Sequence, residues 1–139
     1  MLNLRGRLVD LSQPTVMGIL NVTPDSFYEE SRVQTEKGIV RRAREIVEQG
    51  GSIIDVGACS TRPGGTLSDE AEELRRLETA LRLIRCEMPD VIVSVDTFRP
   101  SVARRCVEDW GADIVNDVAE GQYADADGTT MAMCVSRLQ

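Results

Sequence analysis

The chain contains no histidine, so it lacks the commonest metal ligand and the side chain best suited to proton transfer near neutral pH. Its four cysteines, Cys59, Cys86, Cys106 and Cys134, form no CxxC pair. Neither a zinc site nor a disulfide framework is supported, and free thiols in a reducing compartment are expected. No apolar run approaches the roughly 20 residues of a membrane span, and the first residues lack the basic-then-apolar order of a signal peptide. A basic surplus is missing as well. The formal charge of -7 and a pI near 4.6 argue against a nucleic-acid or anionic-membrane partner. What remains is a soluble, cytoplasmic protein acting on small molecules, and a small anionic substrate would need only one or two Arg for local charge.

With 139 residues, 42% of them apolar, the chain is long enough for one core but falls well below the roughly 250 residues of a complete (β/α)8 barrel. A short hairpin is expected over residues 3–10, turning at Gly6. Short apolar runs then alternate with helical periods. Strands are predicted at Val16 to Leu20, Ser52 to Val56, Val91 to Asp96 and Asp113 to Asn116, each near-continuously apolar as strands covered on both faces must be. Helical stripes follow at Ile39, Ala43, Ile46 and Val47, then at Ala71, Leu74, Leu77, Leu81 and Ile84. Val102, Cys106, Val107 and Trp110 make a third stripe; Met131, Val135 and Leu138 make a weaker fourth.

The ends of these segments carry ordinary signals. Gly50-Gly51 stops the first helix, Asp69 with Glu72 resembles a capping box, and Pro100 suits the first turn of the third helix. Arg41-Arg42, Arg75-Arg76 and Arg104-Arg105 fall opposite the stripes and read as solvated faces. Four βα units with short connections imply a parallel sheet with right-handed crossovers, either an open doubly wound sheet or half of a barrel. A dinucleotide fold would need a Gly-rich turn after its first strand; here Gly18 lies inside the strand and the loop opens Asn-Val-Thr-Pro.

In either architecture the carboxyl ends of parallel strands share one face. Asn21, the segment after Asp55, Asp96 and Asn116-Asp117 should therefore converge on a common mouth. A single buried carboxylate such as Asp55 could be a structural group satisfied by backbone amides, but Asp or Asn at every strand end points to a ligand site. The loop Gly57-Ala58-Cys59-Ser60-Thr61-Arg62-Pro63-Gly64-Gly65 offers two hydroxyls and a planar guanidinium fork, a donor set suited to an anion.

Met17-Gly-Ile-Leu-Asn-Val-Thr-Pro-Asp-Ser-Phe27, Ile54-Asp-Val-Gly57, Ser60-Thr-Arg-Pro-Gly64, Ser94-Val-Asp-Thr97 and Val115-Asn-Asp-Val118 together closely resemble the dihydropteroate synthase family, over nearly the whole chain but only about the first half of that family's length. The resemblance implies the first half of a (β/α)8 TIM barrel, residues 1–139 forming about four βα units of a partial pterin-binding domain. It implies condensation of 6-hydroxymethyl-7,8-dihydropterin pyrophosphate with p-aminobenzoate to 7,8-dihydropteroate, for folate synthesis. By motif, Asn21 matches a residue beside magnesium-pyrophosphate, so Mg2+ is the implied cofactor. Thr61, Arg62 and Ser60 match loop residues that meet substrate, with Arg62 stabilising the departing pyrophosphate. Asp96 and Asn116 match pterin ligands, Val118 is expected on the ring face, and Phe27 and Pro63 are expected to wall the arylamine pocket where sulfonamides compete.

The family pattern is broken in places. Tyr28-Glu29-Glu30-Ser31 stand where an Asp and two glycines usually follow, Glu29 being expected to replace that Asp, and Ala58-Cys59 replace Gly-Glu. The later Met-His, Asp-Pro-Gly, lysine and Arg-x-His motifs have no counterpart before Gln139. The expectation is an amino-terminal half with little or no turnover by itself, from a longer protein that forms a homodimer. Two alternatives are a pterin-dependent methyltransferase domain, which lacks the Asn-Val-Thr-Pro-Asp-Ser-Phe segment, and a non-catalytic half-barrel that binds pterin or self-assembles.

Overall fold

A computed structural model describes residues 1–4, 6–23, 32–59 and 69–138. Strands β1 (Leu2–Leu4) and β2 (Arg7–Val9) pair antiparallel, with Gly6 at φ 81° in the turn, a left-handed conformation that glycine adopts without a Cβ penalty. This is the expected hairpin. The Arg7 guanidinium then donates to the Asp90 carbonyl at 2.9 Å.

The main sheet contains β3 (Met17–Asn21), β4 (Ile53–Gly57), β5 (Ile92–Asp96) and β6 (Ile114–Asn116), all parallel and in chain order. Between them run α1 (Arg32–Glu48), α2 (Glu70–Glu87) and α3 (Pro100–Glu108), and the short α4 (Met131–Val135) follows β6. Each strand lies within a residue or so of its predicted place. The parallel ladder simply continues past the last apolar residue to include Asn21 and Gly57.

The sheet has two unlike faces, because side chains alternate along a strand. Leu20, Ile54, Val56, Val93 and Val95 point to the helices and form one core with Ile39, Ala43, Ile46, Leu77, Ala80, Leu81, Ile84, Val102, Cys106 and Trp110. On the opposite face Ile19 is 61% exposed and Met17 40%, while Ile53, Asp55 and Ser94 are buried.

The predicted stripes need three corrections. Val47 and Val135 are exposed; the core in α4 is instead Met131 and Cys134, whose thiol donates to the Pro100 carbonyl. Ala71 is exposed and Glu73 is buried in its neighbourhood, because an ionic partner, described below, meets it there. The local caps form, though of the expected capping box the Asp69 half is what is seen. Gly50 has φ 95° just after α1, Asp69 accepts from the Glu72 amide at 2.7 Å, and Pro100 occupies the first turn of α3. The Glu72 carboxylate engages Arg75 and Arg76, which holds it at about 2, below its ordinary range.

Candidate active site at the strand ends

Asn21, Gly57, Asp96 and Asn116 are direct partners across successive strands, so the last residues of all four strands stand in one row on one face. The row two residues earlier is Ile19, Asp55, Ser94 and Ile114, and it lies beneath the first. Parallel strands in unshifted register thus bring three polar side chains together from residues far apart in sequence. Gly57 leaves the gap between them: a Cβ there would lie 3.4 Å from Asn21 Oδ1 and 3.5 Å from Asp96 Oδ2.

Asp96 has its pKa pushed up to about 6. Burial is the main cause, and the negative charges of Asp55, Glu73 and Asp117 add to it. A carboxylate held against that many like charges favours a ligand that brings hydrogen-bond donors or positive charge. Asn116 donates from Nδ2 to Asp55 Oδ2 at 3.0 Å, which orients the amide, because its other donor and its carbonyl are then directed elsewhere. Asp55 is therefore held in part by a side chain, where backbone amides were the structural expectation. Its Oδ1 and the Ser94 hydroxyl are buried without a hydrogen-bond partner among the described residues, so the floor of the site has unmet polar capacity.

Asp117 is not turned into the row. Its two oxygens accept from the Ala119 and Gly121 amides, each at 2.8 Å, and it shapes the loop after β6, where Glu120 and Gly121 have positive φ. Val118 is 55% exposed on that loop, open to a ligand.

Two charged residues outside the predicted site belong to its surroundings. Arg76 is only 16% exposed at its side chain and donates to the Ala58 carbonyl at 3.3 Å, beside the exit of β4. Glu73 lies behind Asp96. Neither was legible from helical spacing, which placed Arg76 on a solvated face and passed over Glu73. Phe27, Glu29, Ser60, Thr61, Arg62 and Pro63 lie outside the described residues.

Among the described residues no group of three or more His, Cys, Asp or Glu side chains is arranged to hold a metal ion. At the β3 end of the row the Asn21 amide oxygen is a donor for one, and a single amide suits an ion carried chiefly by a ligand's phosphate oxygens and waters, as Mg2+ usually is. The described cysteines are all free thiols. No described helix is long and apolar enough to cross a membrane.

The sequence profile of a family described as pterin binding enzyme matches residues 17–138. A dihydropteroate synthase from Streptococcus pyogenes is 38% identical over 128 residues, 92% of this chain and 46% of its own. The crystal structure of a dihydropteroate synthase from Clostridium difficile in the presence of pteroic acid superposes with a TM-score of 0.79 at 37% identity, over 89% of this chain and 45% of that one. A Xanthomonas albilineans dihydropteroate synthase solved with 4-aminobenzoic acid gives 0.75 at 39% identity, over 84% and 43%. This chain spans less than half the length of these relatives.

Proposed function

Given that the chain belongs to the pterin-binding enzyme family, we propose that it supplies the amino-terminal half of a dihydropteroate synthase, joining a dihydropterin pyrophosphate to p-aminobenzoate in folate synthesis. The observation that carries this is the pairing of Asp96 with Asn116 on adjacent strand ends, with Asn21 two strands away in the same row. A pterin presents a 2-aminopyrimidine edge with adjacent donors and acceptors. A buried carboxylate accepts from such donors, and an amide matches the rest.

In the reaction the bond from the pterin methylene carbon to the pyrophosphate oxygen breaks, a carbon–nitrogen bond forms to the arylamine, and the amine proton is released. The substrates supply both the nucleophile and the leaving group. Asp96 and Asn116 hold the ring so that the methylene points along the row toward Asn21, and positive character developing on that carbon is favoured by the Asp55 carboxylate in the row beneath. Mg2+, with Asn21 as a protein ligand, would neutralise charge on the departing pyrophosphate. Arg62, Ser60 and Thr61 are assigned to the same anion, Phe27 and Pro63 to the arylamine pocket, Val118 to the ring face and Glu29 to the first loop.

Calorimetric titration of the chain with pteroic acid tests the reading. Binding that is lost in Asp96→Ala and weakened by added pyrophosphate is expected, and the second result separates a synthase from a pterin-dependent methyltransferase. Binding indifferent to Asp96 and to pyrophosphate would overturn the assignment. Turnover by these 139 residues alone is expected to be negligible, since the row supplies one side of a site.

A further inference from the structure

Behind the strand-end row lies an ionic cluster that the reaction does not use. Glu73, near the start of α2, is wholly buried, and Thr97 and Arg99 are nearly so. A carboxylate at that depth persists only when paired and hydrogen-bonded. The Arg99 guanidinium forms an ion pair with Glu73 Oε2, and the Thr97 hydroxyl donates to Glu73 Oε1 at 2.7 Å. That same hydroxyl oxygen accepts from the Arg99 amide at 3.2 Å, closing the turn between β5 and α3. Burial works against the Arg99 charge, yet Glu73 and Cys59 together more than offset it, and the guanidinium titrates above its ordinary value.

The cluster reaches the ends of three strands. The Thr97 amide donates to the Asn116 carbonyl at 3.1 Å, tying β5 to β6. Arg99 lies over the Phe98 ring at 4.6 Å, and its guanidinium is within hydrogen-bonding reach of Cys59, two residues past β4. Because side chains alternate, Asp96 faces the site while Thr97 faces the helices. What holds Thr97 therefore also steadies the strand end that carries Asp96.

We propose that Glu73 is a positioning residue: through Thr97 and Arg99 it aims Asp96 and ties that turn to Cys59 at the exit of β4. Its functional meaning rests on the pterin reading, while its physical content rests on geometry alone. A fork-shaped donor is needed at Arg99, since one guanidinium serves a carboxylate, a ring face and a thiol at once.

Three variants decide it. Thr97→Val removes the hydroxyl at nearly constant shape, Thr97→Ser keeps it, and Ile84→Val perturbs the core of α2 away from the cluster. Each is compared with the unaltered 139-residue chain by amide nitrogen–proton spectra and by titration with pteroic acid. Thr97→Val is expected to shift the Cys59 amide and weaken pteroic acid binding by about ten-fold, the scale of one lost buried hydrogen bond. Thr97→Ser should restore both, and Ile84→Val should change neither despite lower stability. An unmoved Cys59 amide in Thr97→Val, or the same changes in Ile84→Val, would overturn the proposal. If the unaltered chain fails to bind pteroic acid, it is the pterin reading that falls, and the Cys59 shift still decides whether Glu73 positions the turn.

Discussion

An acid held at about 6, as Asp96 is, destabilises the fold whenever it is charged. Its folded-state value lies above the ordinary 3.8, so between these two values the folded chain binds more protons than the unfolded one. Stability from this group is therefore present in acid and lost as pH rises through about 6. Asp96→Asn should raise stability at pH 7 by about 1–2 kcal/mol, a figure below the full shift because the carboxyl is only partly buried. Near pH 4 the gain should largely vanish. Thermal melts at the two pH values check this, and an equal gain at both would contradict it. The same variant should bind pteroic acid more weakly, since stability and binding make opposite demands on a recognition carboxylate. Asn21, Asp96 and Asn116 were legible in the sequence because a polar residue ending an apolar run has few structural explanations. Glu73 was not: it sits among the acidic residues Glu70 and Glu72, and what buries it comes from residues after β5, which spacing along α2 does not contain.

Packing between elements is governed by a few close approaches. At Gly18 in β3, a Cβ would lie 2.4 Å from Ile46 Cγ2 of α1, so glycine is what lets that helix sit on the strand. Gly18→Ala should cost about 1–3 kcal/mol, the usual penalty for overpacking, and Gly18→Ala combined with Ile46→Ala should cost less than the sum of the two singles. Denaturant midpoints of the three variants measure this, and strict additivity would contradict it. Arg85 performs a similar service at the far end of α2. It donates to the carbonyls of Gly111 and Val91 and to Asp113 Oδ2, and Asp113 in turn accepts from the Val93 amide. Arg85→Met strands these acceptors and should destabilise by about 2–4 kcal/mol in the same assay; a loss within error of zero would contradict it. The elements themselves were readable from alternation and helical spacing, because burial on both sides leaves near-continuous apolar runs in the strands. Their exact partners across space were not, since Gly18 reads only as a weak strand residue until Ile46 is seen against it.

For the molecule as a whole, the unequal faces of the sheet dominate. Helices cover one face, whereas Met17 and Ile19 remain exposed on the other. The outer strands β3 and β6 each have one neighbour among the described strands. Open edges beside an apolar face favour pairing with other chains. These 139 residues should therefore self-associate as concentration rises, and Ile19→Lys should reduce it. Sedimentation over a concentration series checks this; a concentration-independent monomer would contradict it. The parallel sheet was legible at this scale, but periodicity alone left an open sheet and a barrel equally available; the motifs favoured the barrel.

The shared register of the strand ends also makes the site a ruler. Neighbouring strands are spaced by about 4.8 Å, so Asn21 and Asn116, three gaps apart, are separated by roughly 14 Å along the sheet. A bicyclic ring occupying the graduations at Asp96 and Asn116 leaves the Asn21 end uncovered. Fragments should then bind at the two ends without excluding each other, and joining them with a tether of matching span should gain affinity through effective concentration alone.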